Sequence, residues 1–286
     1  MSTDTRVRAA STGNGSSSGP GGERARHRGL WILAAVLSAL FVVAPLGIEV
    51  YAQFARQSHS QTSVETSDRH PVKTVQVDSG SAELTVVPGA EGEVRIQERL
   101  SWSLRRPKVV KEWDGDTLKL RPECDGTFAL TSLGCSVELD LTVPPGVALK
   151  VNSGSGTVRV TGLTGPVDVD GGSGSVKLYG VRGPIDASVG SGSFSGAAIG
   201  STEAEVRSGS GHAELEFVTP PRRVTASTGS GSVDLRVPAG SHYRVEGTKG
   251  SGTRDIEDSL PDPASDRLIK VSSGSGTATL DYLRLN

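Results

Sequence analysis

The sequence predicts an all-β domain, built as a repetitive, β-helix-like β-solenoid with Gly-Ser-Gly corners and preceded by one transmembrane helix. Glycine is in excess, with 37 copies in 286 residues. These glycines recur in triplets, and the residues around each triplet alternate between apolar and polar. Because a glycine-rich chain is either disordered or repetitive, a regular recurrence of this kind favours a repeat fold.

The Gly-Ser-Gly triplet, or a close equivalent, begins seven times, at steps that lengthen from 18 to 24 residues. A tight corner at which successive coils approach closely leaves no room for a side chain, so glycine is required there. We therefore predict that the triplet glycines are structural turns: Gly154, Gly156, Gly172, Gly174, Gly190, Gly192, Gly209, Gly211, Gly229, Gly231, Gly250, Gly252, Gly274 and Gly276.

A strand is predicted on each side of every triplet. Two residues after the second glycine stand Val158, Val176, Phe194, Ala213, Val233, Arg254 and Ala278. Five residues before the first glycine stand Leu149, Val167, Ile185, Ala204, Val224, Val245 and Ile269. Polar residues alternate with both rows, which is the period of a half-buried strand. Stacked coils would bury these rows on each other. An antiparallel meander with hairpin tips at the triplets fits the alternation equally well, but the equal corners favour the solenoid.

The solenoid domain is predicted to cover residues 72–286, with an irregular N-terminal part at 72–146 and regular repeats at 147–286. The segment DLTVPPG at 140–146 matches DLRVPAG at 234–240, so both parts belong to one fold. Whether the end coil near Leu285 is capped stays open. An uncapped end would expose a strand edge and favour self-association.

Residues 153–196, with the sequence SGSGTVRVTGLTGPVDVDGGSGSVKLYGVRGPIDASVGSGSFSG, carry a family resemblance. This run resembles the bacterial β-strand-repeat family called "putative adhesin", a domain of unknown function, and is similar to the head-GIN domain family. The resemblance covers about residues 72–286. It implies a membrane-anchored cell-surface protein, and it brings no shared catalytic residues.

The predicted membrane anchor is residues 30–48, an uncharged run of 19 residues that would span about 28 Å as a helix. Arg24, Arg26 and Arg28 precede it, which predicts a cytoplasmic N-terminus. Residues 1–29 are then a disordered cytoplasmic tail, and residues 49–71 an extracytoplasmic linker. A signal peptide cleaved near residues 50–52 is the alternative, and it exports the domain as well.

The two cysteines, Cys124 and Cys135, fit an exported domain and are predicted to form a disulfide. No histidine has zinc-ligand spacing to these thiols, and a redox motif would need Cys-x-x-Cys.

Composition argues against several site chemistries. A net charge of -2 and a pI near 6.2 exclude a nucleic-acid partner. We predict no cofactor and no metal, because the positions after the triplets lack the oxygen ligands of a calcium roll. One outward row, Asp168, Asp186 and Glu205, would stack like charges, either as a solvated face or as a ledge for a cation or polycation.

The function predicted from these features is that of a non-enzymatic membrane-anchored surface module, an adhesin or an envelope-binding or structural protein. Its expected partners are the membrane, an envelope polymer or another surface protein. A regulatory membrane protein that senses the envelope state is the first alternative. The second is a polysaccharide-acting enzyme, for which Asp168, Asp186 and Arg182 are the local candidates.

Overall fold

In the computed structural model of the chain, the described residues are 32–41, 43, 57–66, 72–103, 106–124, 135–248 and 250–284. The chain divides into two compact units, Met1–Phe54 and Ala55–Asn286. Residues 32–41 of the first unit are helical. No helix within the described ranges has the length and apolar character to cross a membrane. The predicted tail at 1–29 and both ends of the predicted anchor lie outside these ranges.

Within the described residues, the second unit contains 21 strands. Those of the N-terminal part are β1 (Gln57–Thr66), β2 (Thr74–Gly80), β3 (Glu83–Pro88), β4 (Glu93–Trp102), β5 (Lys108–Asp114), β6 (Thr117–Glu123) and β7 (Ser136–Val143). Those of the repeats are β8 (Ala148–Ser153), β9 (Thr157–Thr161), β10 (Val167–Gly171), β11 (Ser175–Tyr179), β12 (Ile185–Val189), β13 (Ser193–Ile199), β14 (Glu203–Ser208), β15 (His212–Phe217), β16 (Arg223–Thr228), β17 (Ser232–Val237), β18 (Arg244–Glu246), β19 (Thr253–Ile256), β20 (Leu268–Ser273) and β21 (Thr277–Tyr282).

The strands form two sheets, and each coil gives one strand to each. The first sheet, sheet A, has the order β1-β4-β7-β3-β9-β11-β13-β15-β17-β21-β19. The second, sheet B, has the order β18-β20-β16-β14-β12-β10-β8-β2-β6-β5. Successive coils pair in parallel, for example Val167 with Ile185 and Val176 with Phe194. Parallel pairing confirms the solenoid and rules out the meander for these coils.

The core lies between the two sheets and consists of the rows that the alternation predicts. From sheet A, Val158, Val176 and Phe194 are at most 1% exposed. From sheet B, Val167, Ile185 and Ala204 are buried against them. Only one inward strand face per sheet is available, so small and medium aliphatic side chains fill most of the space.

The coil that contains β13 breaks the pattern and compensates for it. Its inward position 196 is a glycine, where the neighbouring strands place Leu178 and Leu215. Phe194 stands where those strands carry Val176 and Ala213, and its ring lies next to Gly196. After Gly196 the register shifts before Ile199, and Ala198 takes a positive φ of 53°. The larger ring therefore occupies the volume that a leucine would have filled.

The last two coils exchange places. β20 and β21 pair with β16 and β17, while β18 and β19 lie outside them and end the solenoid. The strand near Leu285, β21, is therefore an interior strand, which corrects the expectation of a solenoid end there. The inward positions of the outer coil hold Arg254 and Gly247, which suit a terminal position better than a fully enclosed one. Arg254 donates hydrogen bonds to the carbonyl oxygens of Gly247 and Glu246, at 3.3 and 3.4 Å.

β1 lies within the segment that the sequence predicts as a linker. Residues 57–66 pair antiparallel with β4, from Gln57 with Trp102 to Thr66 with Glu93. The predicted linker at 49–71 therefore contains a strand. The segment has no apolar alternation, and within residues 57–64 no side chain is buried, so a period of two does not mark this strand in the sequence.

The structure joins Cys124, which follows β6, to Cys135, which precedes β7, by a disulfide. It ties sheet B to sheet A at the N-terminal end of the solenoid. The sequence separation is 11 residues, and closing so short a loop stabilises a fold by about 2–3 kcal/mol. We expect Cys124→Ser with Cys135→Ser to lower the free energy of unfolding by that amount in urea titrations. Reductant should shift the wild-type midpoint to the variant's value and leave the variant unchanged; a wild-type midpoint insensitive to reductant would contradict this.

Asp78 ties three strands of sheet B together. Its carboxylate accepts hydrogen bonds from Asn152 on β8 at 2.8 Å and from Arg121 on β6 at 3.1 Å. The hydrogen bond from Asn152, helped by Arg121, lowers the pKa of Asp78 below its ordinary value of 3.8.

A lowered folded-state pKa contributes stability above the unfolded pKa, and this contribution is lost as the pH falls through the folded value. Asp78→Asn should therefore cost about 1 kcal/mol at pH 7. The difference from the wild type should shrink below about pH 4 in urea midpoints measured from pH 7 to pH 2. A difference that stays constant over this range would show that the charge of Asp78 contributes nothing.

Candidate functional site

A groove runs over the outer face of sheet B, across the first halves of β8, β10, β12, β14 and β16. Its volume is about 420 Å³. The residues that line it are Ala148, Leu149, Lys150, Pro166, Val167, Asp168, Pro184, Ile185, Asp186, Glu203, Ala204, Glu205, Arg223 and Thr225. Because the strands are parallel and in register, the groove consists of two parallel rows of outward side chains.

One row is an apolar shelf formed by Ala148, Pro166 and Pro184. Each proline directly precedes a strand, where the lack of an N–H group costs no ladder hydrogen bond. The proline carbonyl groups still take part in the ladder. Leu149 donates to the carbonyl of Pro166 at 2.8 Å, and Val167 donates to that of Pro184 at 2.9 Å. Ring carbons rather than flexible chains therefore form this side of the groove.

The other row contains the predicted ledge. Asp168 pairs in register with Asp186, and Asp186 with Glu205, so the three carboxylates lie on adjacent strands as the sequence predicts. Neighbouring strands are about 4.8 Å apart, close enough for strong repulsion between like charges.

The chain's own cations relieve this repulsion. Lys150 lies 3.8 Å from Asp168, Arg207 lies 3.1 Å from Asp186, and Arg207 also pairs with Glu205. At one end, Arg223 reaches Glu203 at 4.0 Å. Within the described ranges, no group of three His, Cys, Asp or Glu side chains is placed to hold a metal ion. The carboxylates of this row are thus paired with cations of the chain itself, so that the surface carries exposed donors and acceptors side by side.

The candidates for polysaccharide chemistry are not all together. Asp168 and Asp186 are neighbours, but Arg182 lies in the turn before β12 and does not line the groove. A glycosidase pair needs two carboxyl groups in different environments, so that one donates a proton while the other stays ionised. These two have similar surroundings: their side chains are 48% and 57% exposed, and each has a cationic partner.

A second concave region follows the glycine corners. It has a volume of about 690 Å³ and is lined by serines and glycines of four successive triplets together with His212. His212 contacts Ser232 at 2.6 Å and lies 3.6 Å from Asp234. The corner glycines stack directly: a Cβ on Gly192 would collide with the carbonyl oxygen of Gly174. These glycines pack the corners, and the surface above them carries mainly hydroxyl groups.

Sequence reasoning missed two parts of the groove. Pro166 and Pro184, which form the shelf, are not among the residues predicted from the sequence. Arg207 was not singled out, yet it neutralises two of the three ledge carboxylates. Its signal was present in the next outward row, where Asn152, Asp170, Ser188 and Arg207 are in register.

Comparison with known proteins gives a family match and several similar structures. The model of the family described as Toastrack DUF4097 matches residues 130–260. No curated protein matches the chain. Among solved structures, a "putative cell adhesion protein" from Clostridium sporogenes is similar at 13% identity and a TM-score of 0.40, with 79% of this chain and 100% of that chain covered.

Two further structures are similar. For a "putative lipid binding protein" from Parabacteroides distasonis the identity is 15%, the TM-score is 0.47, and 82% and 98% of the two chains are covered. For a "putative adhesin" from Bacteroides fragilis the identity is 14%, the TM-score is 0.42, and 79% of this chain and 97% of that chain are covered. The family match at residues 130–260 includes β7 to β19, so this part of the solenoid is similar to the Toastrack DUF4097 domain.

Proposed function

We propose that this chain is a non-enzymatic surface module. Residues 30–48 anchor it in the membrane with the N-terminus inside, and the solenoid outside binds an extended ligand of the cell envelope, a polymer or the exposed part of a surface protein. The observation that carries this proposal is the groove on sheet B, which crosses five coils and combines an apolar shelf on three of them with a row of charged side chains on four.

The shape of the groove favours an extended ligand. Five strands at a spacing of about 4.8 Å give a track about 19 Å long between the outermost strands. Its polar groups repeat once per coil, so a chain-like molecule can make the same contact several times. The shelf offers apolar contact along the same track. A small substrate would gain little from such repetition, whereas a polymer gains affinity from each repeat.

The N-terminal segment supports the proposed location of the module at the membrane. The apolar run at 30–48 follows three arginines, a pattern that retains the N-terminus in the cytoplasm. In the described helix at 32–41, large apolar side chains are exposed, among them Phe41 at 84% and Ile32 at 65%. Exposed apolar surface of this kind is typical of a segment that contacts a membrane or another protein. The disulfide agrees with an oxidising compartment.

The experiment that tests the groove compares two charge-neutralising variants of the full-length chain in detergent. In the groove variant, Asp168→Asn, Asp186→Asn and Glu205→Gln remove the carboxylate charges at nearly constant shape. We expect its binding to isolated cell envelopes, measured by co-sedimentation, to fall by about tenfold or more. The reason is that hydrogen bonds to charged groups are worth more than neutral ones.

The matched control carries Glu214→Gln, Asp234→Asn and Asp255→Asn on the outer face of sheet A. It also loses three negative charges, but away from the groove. Its binding should stay close to that of the wild type. An equal loss in both variants would mean that net charge matters and the groove does not. If both variants bind envelopes as well as the wild type does, the groove is not the binding site.

A further inference from the structure

The two sheets end in four edge strands: β1 and β19 in sheet A, and β18 and β5 in sheet B. An edge strand presents unpaired N–H and C=O groups and is a ready template for another strand. Proteins protect such edges by shortening them or by placing charges and prolines on them. The four edges of this protein are protected to very different degrees.

Three edges are blunted. β18 has 3 residues, two of which are Arg244 and Glu246. β19 has 4 residues and includes Arg254 and Asp255. β5 has 7 residues with the sequence KVVKEWD, so that charged side chains make up more than half of it.

β1 is long and unprotected. It has 10 residues with the sequence QSHSQTSVET, in which Glu65 is the only acidic residue and His59 the only basic one. It contains no lysine and no proline. Its pairing with β4 runs through ten residues without a register shift, so its outer edge continues the regular ladder.

The side chains of β1 also leave its outer edge accessible. Of residues 57–64, all are exposed except Ser63, which is half-buried and accepts a hydrogen bond from Lys111 on β5. Residues 57–64 of β1 therefore contribute no side chain to the core. This part of the strand is held by its backbone pairing with β4.

We infer that the outer edge of β1 is an interaction surface for a second copy of this chain, through antiparallel pairing of β1 with β1. Such pairing centred on Gln61 places Glu65 opposite Gln57 and His59 opposite Ser63. No like charges meet, which removes the usual obstacle to self-pairing of a strand. Antiparallel addition also continues the pattern of β1 on β4 and of β4 on β7.

The pairing gives a closed dimer. Both copies use the same surface, so the contact is twofold and leaves no free β1 edge. The blunted edges at β5, β18 and β19 do not extend it further. This inference is independent of the groove on sheet B. If the chain is anchored as proposed, confinement to one membrane raises the effective concentration of the two β1 strands.

Cross-linking of the full-length chain in detergent micelles tests the surface. Gln61→Cys and Thr62→Cys are made separately, and Thr253→Cys on the opposite edge of sheet A is the matched control. Both native cysteines are already joined to each other. Under mild oxidation we expect a covalent dimer from at least one β1 variant and monomer from Thr253→Cys. Monomer from both β1 variants, or an equal dimer yield from the control, overturns the inference.

A second variant pair measures the affinity. Ser60→Lys with Thr62→Lys places four lysines across the dimer contact, at positions that are exposed in the single chain. The dimer dissociation constant from analytical ultracentrifugation should rise by about tenfold or more. Thr253→Lys with Thr277→Lys adds the same charge elsewhere on sheet A and should leave it unchanged. A monomeric wild type, including one whose β1 pairs only with a different protein, would overturn the inference.

Discussion

Gly192→Ala is expected to destabilise the solenoid by more than about 3 kcal/mol or to prevent its folding. A Cβ at position 192 would meet the carbonyl oxygen of Gly174 far inside 3.0 Å, a limit that real Cβ atoms essentially never cross. The obstacle is backbone of the next coil, so no side-chain rearrangement can relieve it. Both coils would have to separate, and the parallel ladders on each side of the corner would weaken with them. Urea denaturation followed by tryptophan fluorescence measures the loss.

Gly146→Ala is the matched control for this effect. Gly146 also lies at a turn between strands, but a Cβ there would have nothing within 4 Å, and its φ is not positive. We expect a change within about 0.5 kcal/mol. If both variants lose stability equally, glycine acts through chain flexibility and the close approach of the corners does not explain its recurrence.

Phe194→Ala is expected to cost about 3–5 kcal/mol, the second large effect. Phe194 is 1% exposed and lies in a core of mainly aliphatic side chains, where its ring occupies the space next to Gly196. Removing the ring leaves a cavity that no neighbouring strand can fill, because the coils are held in register by their corners. The free energy of unfolding from urea titration gives the cost.

A double-mutant cycle tests whether Phe194 and Gly196 compensate each other. Phe194→Val alone should leave a smaller cavity, and adding Gly196→Leu should recover part of the loss, since the result matches the Val/Leu pattern of β11. Gly196→Leu in the wild-type background should destabilise, because a Cβ there lies 3.3 Å from Ile199 and 3.4 Å from the ring of Phe194. Additive costs would show that the two positions do not share one volume.

The regular part of the fold could be predicted from the sequence because one period controls it. Once the triplets set the corners, the residues two and four positions after the second glycine, and those three and five positions before the first, must face the core. The same register brought Asp168, Asp186 and Glu205 onto adjacent strands. Local periodicity therefore sufficed wherever each coil contacts the coil that follows it in the chain.

The remainder depends on contacts that no local period encodes. The exchange of the last two coils places β20 and β21 against β16 and β17. In the sequence, the only sign of this exchange is that the inward positions of the outer coil hold Arg254 and Gly247, which suit a core poorly. β1 pairs with β4 through its backbone, so its polar sequence resembles a linker. In the groove, the reach of Arg207 to two neighbouring carboxylates depends on side-chain conformation, which sequence spacing does not specify.

The proposed function requires that the solenoid lie outside the membrane, and thiol labelling of intact cells measures this directly. Cells that express full-length Lys177→Cys or Ser11→Cys are treated with a membrane-impermeant maleimide; no native cysteine is free to react. The account predicts that Lys177→Cys, on the exposed face of sheet A, is labelled on intact cells, and that Ser11→Cys is labelled only after lysis. Protection of Lys177→Cys until lysis, together with labelling of Ser11→Cys on intact cells, would contradict it.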